Sequence, residues 1–351
     1  MRTEARLPRA LVLGCAGERL NADERRLFAA VDPVGFVLFR RNCKDPDQLR
    51  ALVAEMRDAV GRADAPVLID QEGGRVARLQ PPHWRKYPAA AQIGALPDPL
   101  AEEAARLGAR LIADDLAALG IDVDALPVLD LPAAGADPVI GDRAYDSDPA
   151  RVARLGRAAC EGLLQGGVLP IIKHIPGHGR SQVDSHRDLP RVGANREELA
   201  KTDFAPFRAL AAMPWAMTAH IVYTAIDPSI PATFSPLIID GVIRRDMGFD
   251  GVLISDDISM GALQGSLAER TRRALAAGCD LALHCNGVLA EMEEVADAAS
   301  PLTAAAQARL ARAEALRRNS VQPFDRAATE ARFAKLLEQT VAAGNRAPHR
   351  A

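Results

Sequence analysis

Short apolar runs recur along the chain and alternate with longer stretches in which Ala and Leu repeat at helical spacing among Arg and Glu. The runs fall at 10–14, 35–39, 66–70, 123–129, 168–174, 216–221, 251–255 and 279–284, and each is predicted as a strand. Helices are predicted between them over 47–60, 99–119, 149–164, 196–211 and 267–277. Strands with little polar alternation suit a parallel sheet that is covered on both faces. Eight of them alternating with helices fit a single (β/α)8 TIM-type barrel of the α/β class. The Ala-, Arg- and Glu-rich stretch after Cys285 reads as extra C-terminal helices packed on the barrel. No Gly/Ser linker or charge run divides the chain, so 1–343 reads as one domain and 344–351 as a mobile tail. The competing architecture, an open doubly wound sheet, wants a glycine-rich phosphate turn after its first strand. Gly14-Cys15-Ala16-Gly17 lacks the G-x-G-x-x-G spacing, and no P-loop is present.

Composition narrows the function more than the fold. The 351 residues carry a net charge of −3 and only 4% aromatic residues. There is no basic footprint for nucleic acid or an anionic membrane, and little material for stacking on bases. No stretch is long and apolar enough to cross a bilayer. Val12-Leu13-Gly14-Cys15 looks like a lipoprotein cleavage site, but Glu4, Arg6, Pro8 and Arg9 leave no secretory hydrophobic region before it. The five cysteines are scattered, odd in number and form no C-x-x-C pair, as expected of free thiols in a reducing compartment. A cytoplasmic monomer is the expectation.

The densest chemistry lies in Lys173-His174-Ile175-Pro176-Gly177-His178-Gly179 and the Asp184-Ser185-His186 that follows. Pro176 and the two glycines exclude a regular helix, and the preceding run is a strand, so this cluster sits where a strand opens into a loop. In a barrel, such ends share one face. Asp70-Gln71-Glu72, Asp130, Lys173-His174, His220, Asp256-Asp257 and His284-Cys285-Asn286 all stand at predicted strand ends. Taken singly, each is more simply a helix cap or a turn. Together on one face they describe a polar substrate pocket.

These segments resemble the family-3 glycoside hydrolases, in particular the bacterial cytoplasmic β-N-acetylglucosaminidases of cell-wall recycling. The resemblance is carried by Asp70-Gln71-Glu72-Gly73-Gly74-Arg75-Val76-Ala77-Arg78, Ile140-Gly141-Asp142-Arg143-Ala144-Tyr145, Lys173–Gly179 and Asp184-Ser185-His186. Met217-Thr218-Ala219-His220 and Ser255-Asp256-Asp257-Ile258-Ser259-Met260 continue it in order, from the first strand to the eighth. Ile175 replaces an aromatic residue usual in the family and Ile258 a common Leu, and neither change removes a functional group.

The resemblance implies a retaining hydrolysis with Asp256 as the nucleophile that forms a covalent glycosyl-enzyme. A second carboxylic acid usually protonates the leaving oxygen. Here the resemblance implies His186 as acid/base, with Asp184 as its partner. A neighbouring carboxylate raises an imidazole pKa and fixes its tautomer, which makes the pair chemically reasonable. Asp257, next to Asp256 on an extended chain, should point the other way and cap a helix. By the same resemblance Asp70 grips ring hydroxyls, with Arg78, Arg143, Lys173 and His174 as donors, while His178 is left to loop structure. No cofactor and no metal are implied. The expected ligand is a small carbohydrate: terminal β-linked N-acetylglucosamine on 1,6-anhydro-N-acetylmuramic acid, with or without peptide.

Three other readings compete. A metal-dependent barrel hydrolase could use His174 and His178, with His186, His220 and His284, but Pro176 and Gly177 break the helix that would align the first two. A phosphorylase of the same family would pass the glycosyl group to phosphate, which a histidine acid/base would tolerate electrostatically. A non-catalytic sugar-binding protein would need neither Asp256 nor His186.

Overall fold

The computed structural model describes residues 7–185 and 188–344. Eight parallel strands close into a barrel: β1 (Arg9–Leu13), β2 (Pro33–Leu38), β3 (Val67–Ile69), β4 (Val123–Asp124), β5 (Leu169–Ile175), β6 (Trp215–Thr218), β7 (Val252–Asp257) and β8 (Leu281–His284). Each pairs with its neighbours in sequence, and β8 returns to β1 through Leu11 opposite Ala282. Every residue of β2 and of β5 is buried, as strands covered on both faces must be. Inward side chains such as Val12, Val37, Leu68, Val123, Ile171, Met217, Ile254 and Leu283 fill the barrel. Those pointing outward join a second, larger cluster beneath the helices.

The helices that cover the barrel are α1 (Ala22–Val31), α2 (Pro46–Val60), α3 (Leu100–Ala117), α4 (Pro149–Gln165), α5 (Leu267–Ala277) and α6 (Leu289–Ala298). Their ends follow local chemistry. Asp45 caps α2, Pro46 opens it, and Gly61 ends it in the left-handed conformation. Ser266 and Glu269 form a reciprocal capping box on α5. Two further helices, α7 (Ala304–Ser320) and α8 (Arg326–Gly344), follow the barrel. α7 places Ala306 and Ala313 against the barrel core, closing its N-terminal end. α8 buries Phe333 and pairs Arg332 with Glu103 of α3.

The predicted strands at 10–14, 35–39, 66–70, 168–174, 251–255 and 279–284 all appear, shifted by one or two residues at their ends. Three predictions need correction. The sixth strand, expected over 216–221, ends at Thr218. The fourth strand, expected over 123–129, stops at Asp124, with a single bridge from Val128 to Lys173 further on. Pro127 has no amide to give to a ladder. The helix expected over 196–211 is two short ones, Arg196–Lys201 and Ala205–Ala209, because Pro206 lacks the N–H that would continue it. The tail beyond Gly344 lies outside the described residues.

Candidate active site

Asp70 leaves the end of β3 and opens a short hairpin, Gln71–Gly73 against Val76–Ala77. Alternation along this extended segment puts Asp70 and Glu72 on one side. The buried Gln71 faces the other way and ties the hairpin to the chain beyond it, accepting from the amides of Arg78 and Leu79 at 2.9 Å each. Lys173, inside β5, reaches both acids past the short β4 that lies between. Its Nζ lies 2.8 Å from Asp70 and 2.6 Å from Glu72. Arg78 donates to the second Asp70 oxygen at 2.8 Å, and Arg143 grips Glu72 with two bonds of 2.9 and 2.8 Å. Two acids and three cations thus form one continuous network.

The network fixes the charges. Lys173 is only 2% exposed. Burial works against its cation, but the Asp70 and Glu72 carboxylates outweigh that and raise its pKa. Burial likewise pushes Asp70 and Glu72 upward. Lys173 and Arg78 overcome it at Asp70, which falls below its ordinary range, and Arg143 and Lys173 bring Glu72 to about 2. Asp70 and Glu72 are therefore carboxylates and Lys173 an ammonium at neutral pH.

His174 follows Lys173 and is oriented by Asp130. The buried Asp130 carboxylate lies 2.7 Å from His174 Nδ1 and accepts from the His178 amide at 2.6 Å. Nδ1 therefore carries the proton when the ring is neutral, which leaves Nε2 as an acceptor. The His178 ring packs edge-on against His174, with its Nε2 3.0 Å from Ser185 Oγ.

Asp256 stands near the end of β7. Its Oδ1 accepts from the Asp257 amide at 2.8 Å. Burial favours its neutral acid, yet His174, His220, that amide and Lys173 together hold its pKa below the usual value. A carboxylate in that state can act as a nucleophile. Asp257 departs from the expectation that it would face away. The pairing of β7 with β8 shifts register between Ile254 and Asp257, and both aspartates line the same cavity. Asp257 nevertheless has a capping role, on a turn rather than a helix: it accepts from Ser259 N at 3.0 Å and Ser259 Oγ at 2.7 Å.

That cavity, about 350 Å³, opens at the C-terminal end of the strands. It brings together Asp70, Arg78, Arg143, Lys173, His174, Asp184 and Asp256, seven of the eight residues predicted from sequence. The eighth, His186, lies outside the described residues. Glu72 and Asp130 stood on the polar face expected from sequence, but no role was assigned to either. The Asp-x-Glu spacing after a strand was the available signal for the first, while only the fold brings Asp130 to His174. Arg78 Nε is buried with no protein partner among the described residues. Another cavity, about 630 Å³, lies under α7 at the opposite end of the barrel, among Pro8, Trp215, Leu302 and Leu310, away from the strand-end acids.

Residues 7–318 match the glycosyl hydrolase family 3 N-terminal domain. The chain belongs to glycosyl hydrolase family 3. Within the family it is 42% identical over 283 residues to a β-hexosaminidase of Alkalilimnicola ehrlichii, spanning 79% of this chain and 80% of that protein. Its fold is similar to that of Neisseria gonorrhoeae NagZ in complex with N-trifluoroacetyl-D-glucosamine, with a TM-score of 0.83 and 34% identity over 94% of this chain and 98% of the other. A family-3 β-N-acetylglucosaminidase from Paenibacillus sp. aligns at a TM-score of 0.82 and 31% identity, over 94% of this chain and 66% of that one. The barrel and the strand-end cavity are therefore those of a glycoside hydrolase. Among the described residues no three His, Cys, Asp or Glu side chains are grouped to hold a metal ion. No described helix is long and apolar enough to cross a membrane.

Proposed function

We propose that this chain is a retaining exo-β-N-acetylglucosaminidase acting on muropeptide fragments in the cytoplasm, where it removes terminal β-linked N-acetylglucosamine from 1,6-anhydro-N-acetylmuramic acid with or without peptide. The observation that carries the reading is the shared cavity. An ionised, half-buried Asp256 faces the same space as a fixed array of charged hydrogen-bonding groups. Asp70 accepts from sugar hydroxyls. Arg78, Arg143, Lys173 and His174 supply the donors that complete the grip. The family and the β-hexosaminidase relatives support this choice of sugar.

In the first step an Asp256 oxygen attacks C1 of the sugar while the C1–oxygen bond to the leaving group breaks, and His186 gives its proton to that oxygen. A glycosyl ester on Asp256 results. Water then attacks C1, His186 takes its proton, and the ester bond breaks to restore the carboxylate. Asp184 holds the imidazole in the correct tautomer and stabilises its cation. Asp184 lines the cavity with Asp256, which supports placing the proton carrier two residues later.

The test is release of nitrophenol from aryl β-N-acetylglucosaminide and aryl β-glucoside, with and without inorganic phosphate, and after treatment with EDTA. The expected result is turnover of the first substrate only, with free N-acetylglucosamine as product in every buffer. A sugar phosphate formed in the presence of phosphate would make the chain a phosphorylase, and loss of activity in EDTA would reinstate the metal reading. Release of N-acetylglucosamine from the anhydro-muropeptide disaccharide then tests the natural substrate.

A further inference from the structure

His178 and Ser185 take part in neither sugar binding nor bond cleavage as described above, yet both are buried. Ser185 lies in the loop that carries the acid/base residues, immediately after Asp184. Upstream, that loop is held by its backbone: Gly179 and Ser181 accept from the amides of Ala133 and Asp137 at 3.1 and 2.7 Å. The chain then emerges into solvent at Gln182 and Val183. Between Ser181 and Pro190, Ser185 is the one buried residue among those described. Burying one residue of an otherwise exposed loop requires specific partners, because the loop's backbone polar groups must still be satisfied.

Ser185 has partners on two sides. Its Oγ lies 3.0 Å from His178 Nε2, and its carbonyl accepts from the Ala262 amide at 3.1 Å. The first contact leads back to the sugar-binding wall. The His178 amide donates to Asp130, the same carboxylate that orients His174, and the carbonyl of the next-door Gly177 accepts from Tyr223. The second contact leads to the loop that leaves β7 just beyond Asp256. Ser185 is thus seated between the elements that carry the sugar-binding residues and the nucleophile. Burial pushes the His178 pKa down to about 4, so its ring is neutral at working pH and competes neither as a proton donor nor as a cation.

We propose that His178 and Ser185 are a positioning pair for the acid/base loop: their hydrogen bond sets where Asp184 stands relative to the leaving group, and contributes nothing to the affinity for the sugar itself. The proposal rests on the assignment of the acid/base role to Asp184 and His186. Its consequence is a division of effects. A shift of the loop by about 1 Å degrades proton transfer, for which misplacements of that size cost up to about 100-fold. The Asp70, Lys173 and Arg143 side chains are held by their own ion pairs, with Lys173 inside β5 and ahead of the loop, and are untouched.

The experiment compares Ser185→Ala, Ser185→Thr, Asp184→Asn and His186→Ala with the parent enzyme, using a dinitrophenyl glycoside, which needs little protonation, and an alkyl glycoside, which needs full protonation. Inhibition by a non-hydrolysed N-acetylglucosamine analogue is measured for each, with thermal melting as the check on folding. For Ser185→Ala, kcat/KM should fall roughly 10- to 100-fold on the alkyl glycoside and less than about threefold on the dinitrophenyl one. Inhibitor affinity should stay within about twofold, because the sugar contacts persist. Ser185→Thr keeps the hydroxyl and should restore most of the loss. Equal losses on both glycosides, a weakened inhibitor, or no rescue by Thr would each overturn the positioning role. If His186→Ala and Asp184→Asn show the leaving-group dependence while Ser185→Ala does not, only the positioning pair falls. If those two variants lack it as well, the acid/base assignment fails first and takes this proposal with it.

Discussion

At the scale of single residues the pocket is built on compensation, and Lys173 shows it best. Its ammonium is held between two carboxylates, themselves held by Arg78 and Arg143, so removing any one member leaves a buried charge exposed to repulsion or without a partner. Lys173→Met, close to it in length and apolar, leaves Asp70 and Glu72 facing each other. It should cost about 3–5 kcal/mol of unfolding free energy in urea melts and abolish inhibition by N-acetylglucosamine analogues. Unchanged stability would mean that the network is not closed as the distances indicate. Asp256 should behave in the opposite way. Among the described residues its carboxylate receives one backbone amide and holds no ion pair, so Asp256→Ala should melt within a few degrees of the parent protein while turnover falls by about a thousandfold or more. A slow fluorinated glycoside should label Asp256 in the parent protein, and a label on Asp257 or Asp184 would move the nucleophile. Most of this site could be read in the sequence because its residues stand in short contiguous motifs at strand ends. Asp130 could be placed on this face but its role could not be read, since its pairing with His174 and His178 depends on β4 and β5 lying side by side.

At the scale of elements, the loops fix the pocket more closely than the strands do. Strands were legible because burial on both faces leaves unbroken apolar runs, as in β5, and their ends are marked by the first acid or base. The apolar runs could not show how far each ladder would extend or where it would shift. β4 ends at Asp124, ahead of Pro127, and β7 slips register so that both Asp256 and Asp257 turn toward the cavity. The loop after β5 depends on one close approach. Gly179 lies so near the backbone of Leu131 that a Cβ there would overlap the Leu131 carbonyl, and backbone cannot move aside as a side chain can. Gly179→Ala should therefore push this loop off the β4 loop, lowering the melting temperature and reducing kcat/KM by about tenfold or more on substrates that need leaving-group protonation. Gly193, where a Cβ meets nothing within 4 Å, supplies the control, and Gly193→Ala should be close to neutral. Equal effects at the two positions would show that the close contact carries no weight.

Across the whole molecule, buried acids of opposite behaviour make stability depend on pH. Burial raises Asp122 to about 6 and Asp124 well above its ordinary value, so what they contribute is fully present below about pH 3.8 and is lost as pH rises through their folded-state values. Asp70 runs the other way. Burial is outweighed by Lys173 and Arg78, its folded pKa lies below the unfolded 3.8, and its contribution is present above that value and lost as pH falls through the folded one. A melting curve of the parent protein alone mixes the two signs, whereas the gap between the parent and Asp70→Asn isolates one of them. Asn keeps an acceptor at the same place but cannot ionise, so at pH 7 the variant should be less stable by about 1.5–3 kcal/mol, the range for hydrogen bonds to charged groups. That gap should stay flat from pH 7 to pH 5, begin to close near pH 4, and be visibly smaller at pH 2, because protonation costs the parent protein what the variant never had. Urea titrations of both proteins at pH 7, 5, 4, 3 and 2 measure it directly. A gap that held constant down to pH 2 would mean that Asp70 owes its contribution to shape and hydrogen bonding alone, and that Lys173 is kept charged by Glu72 without it.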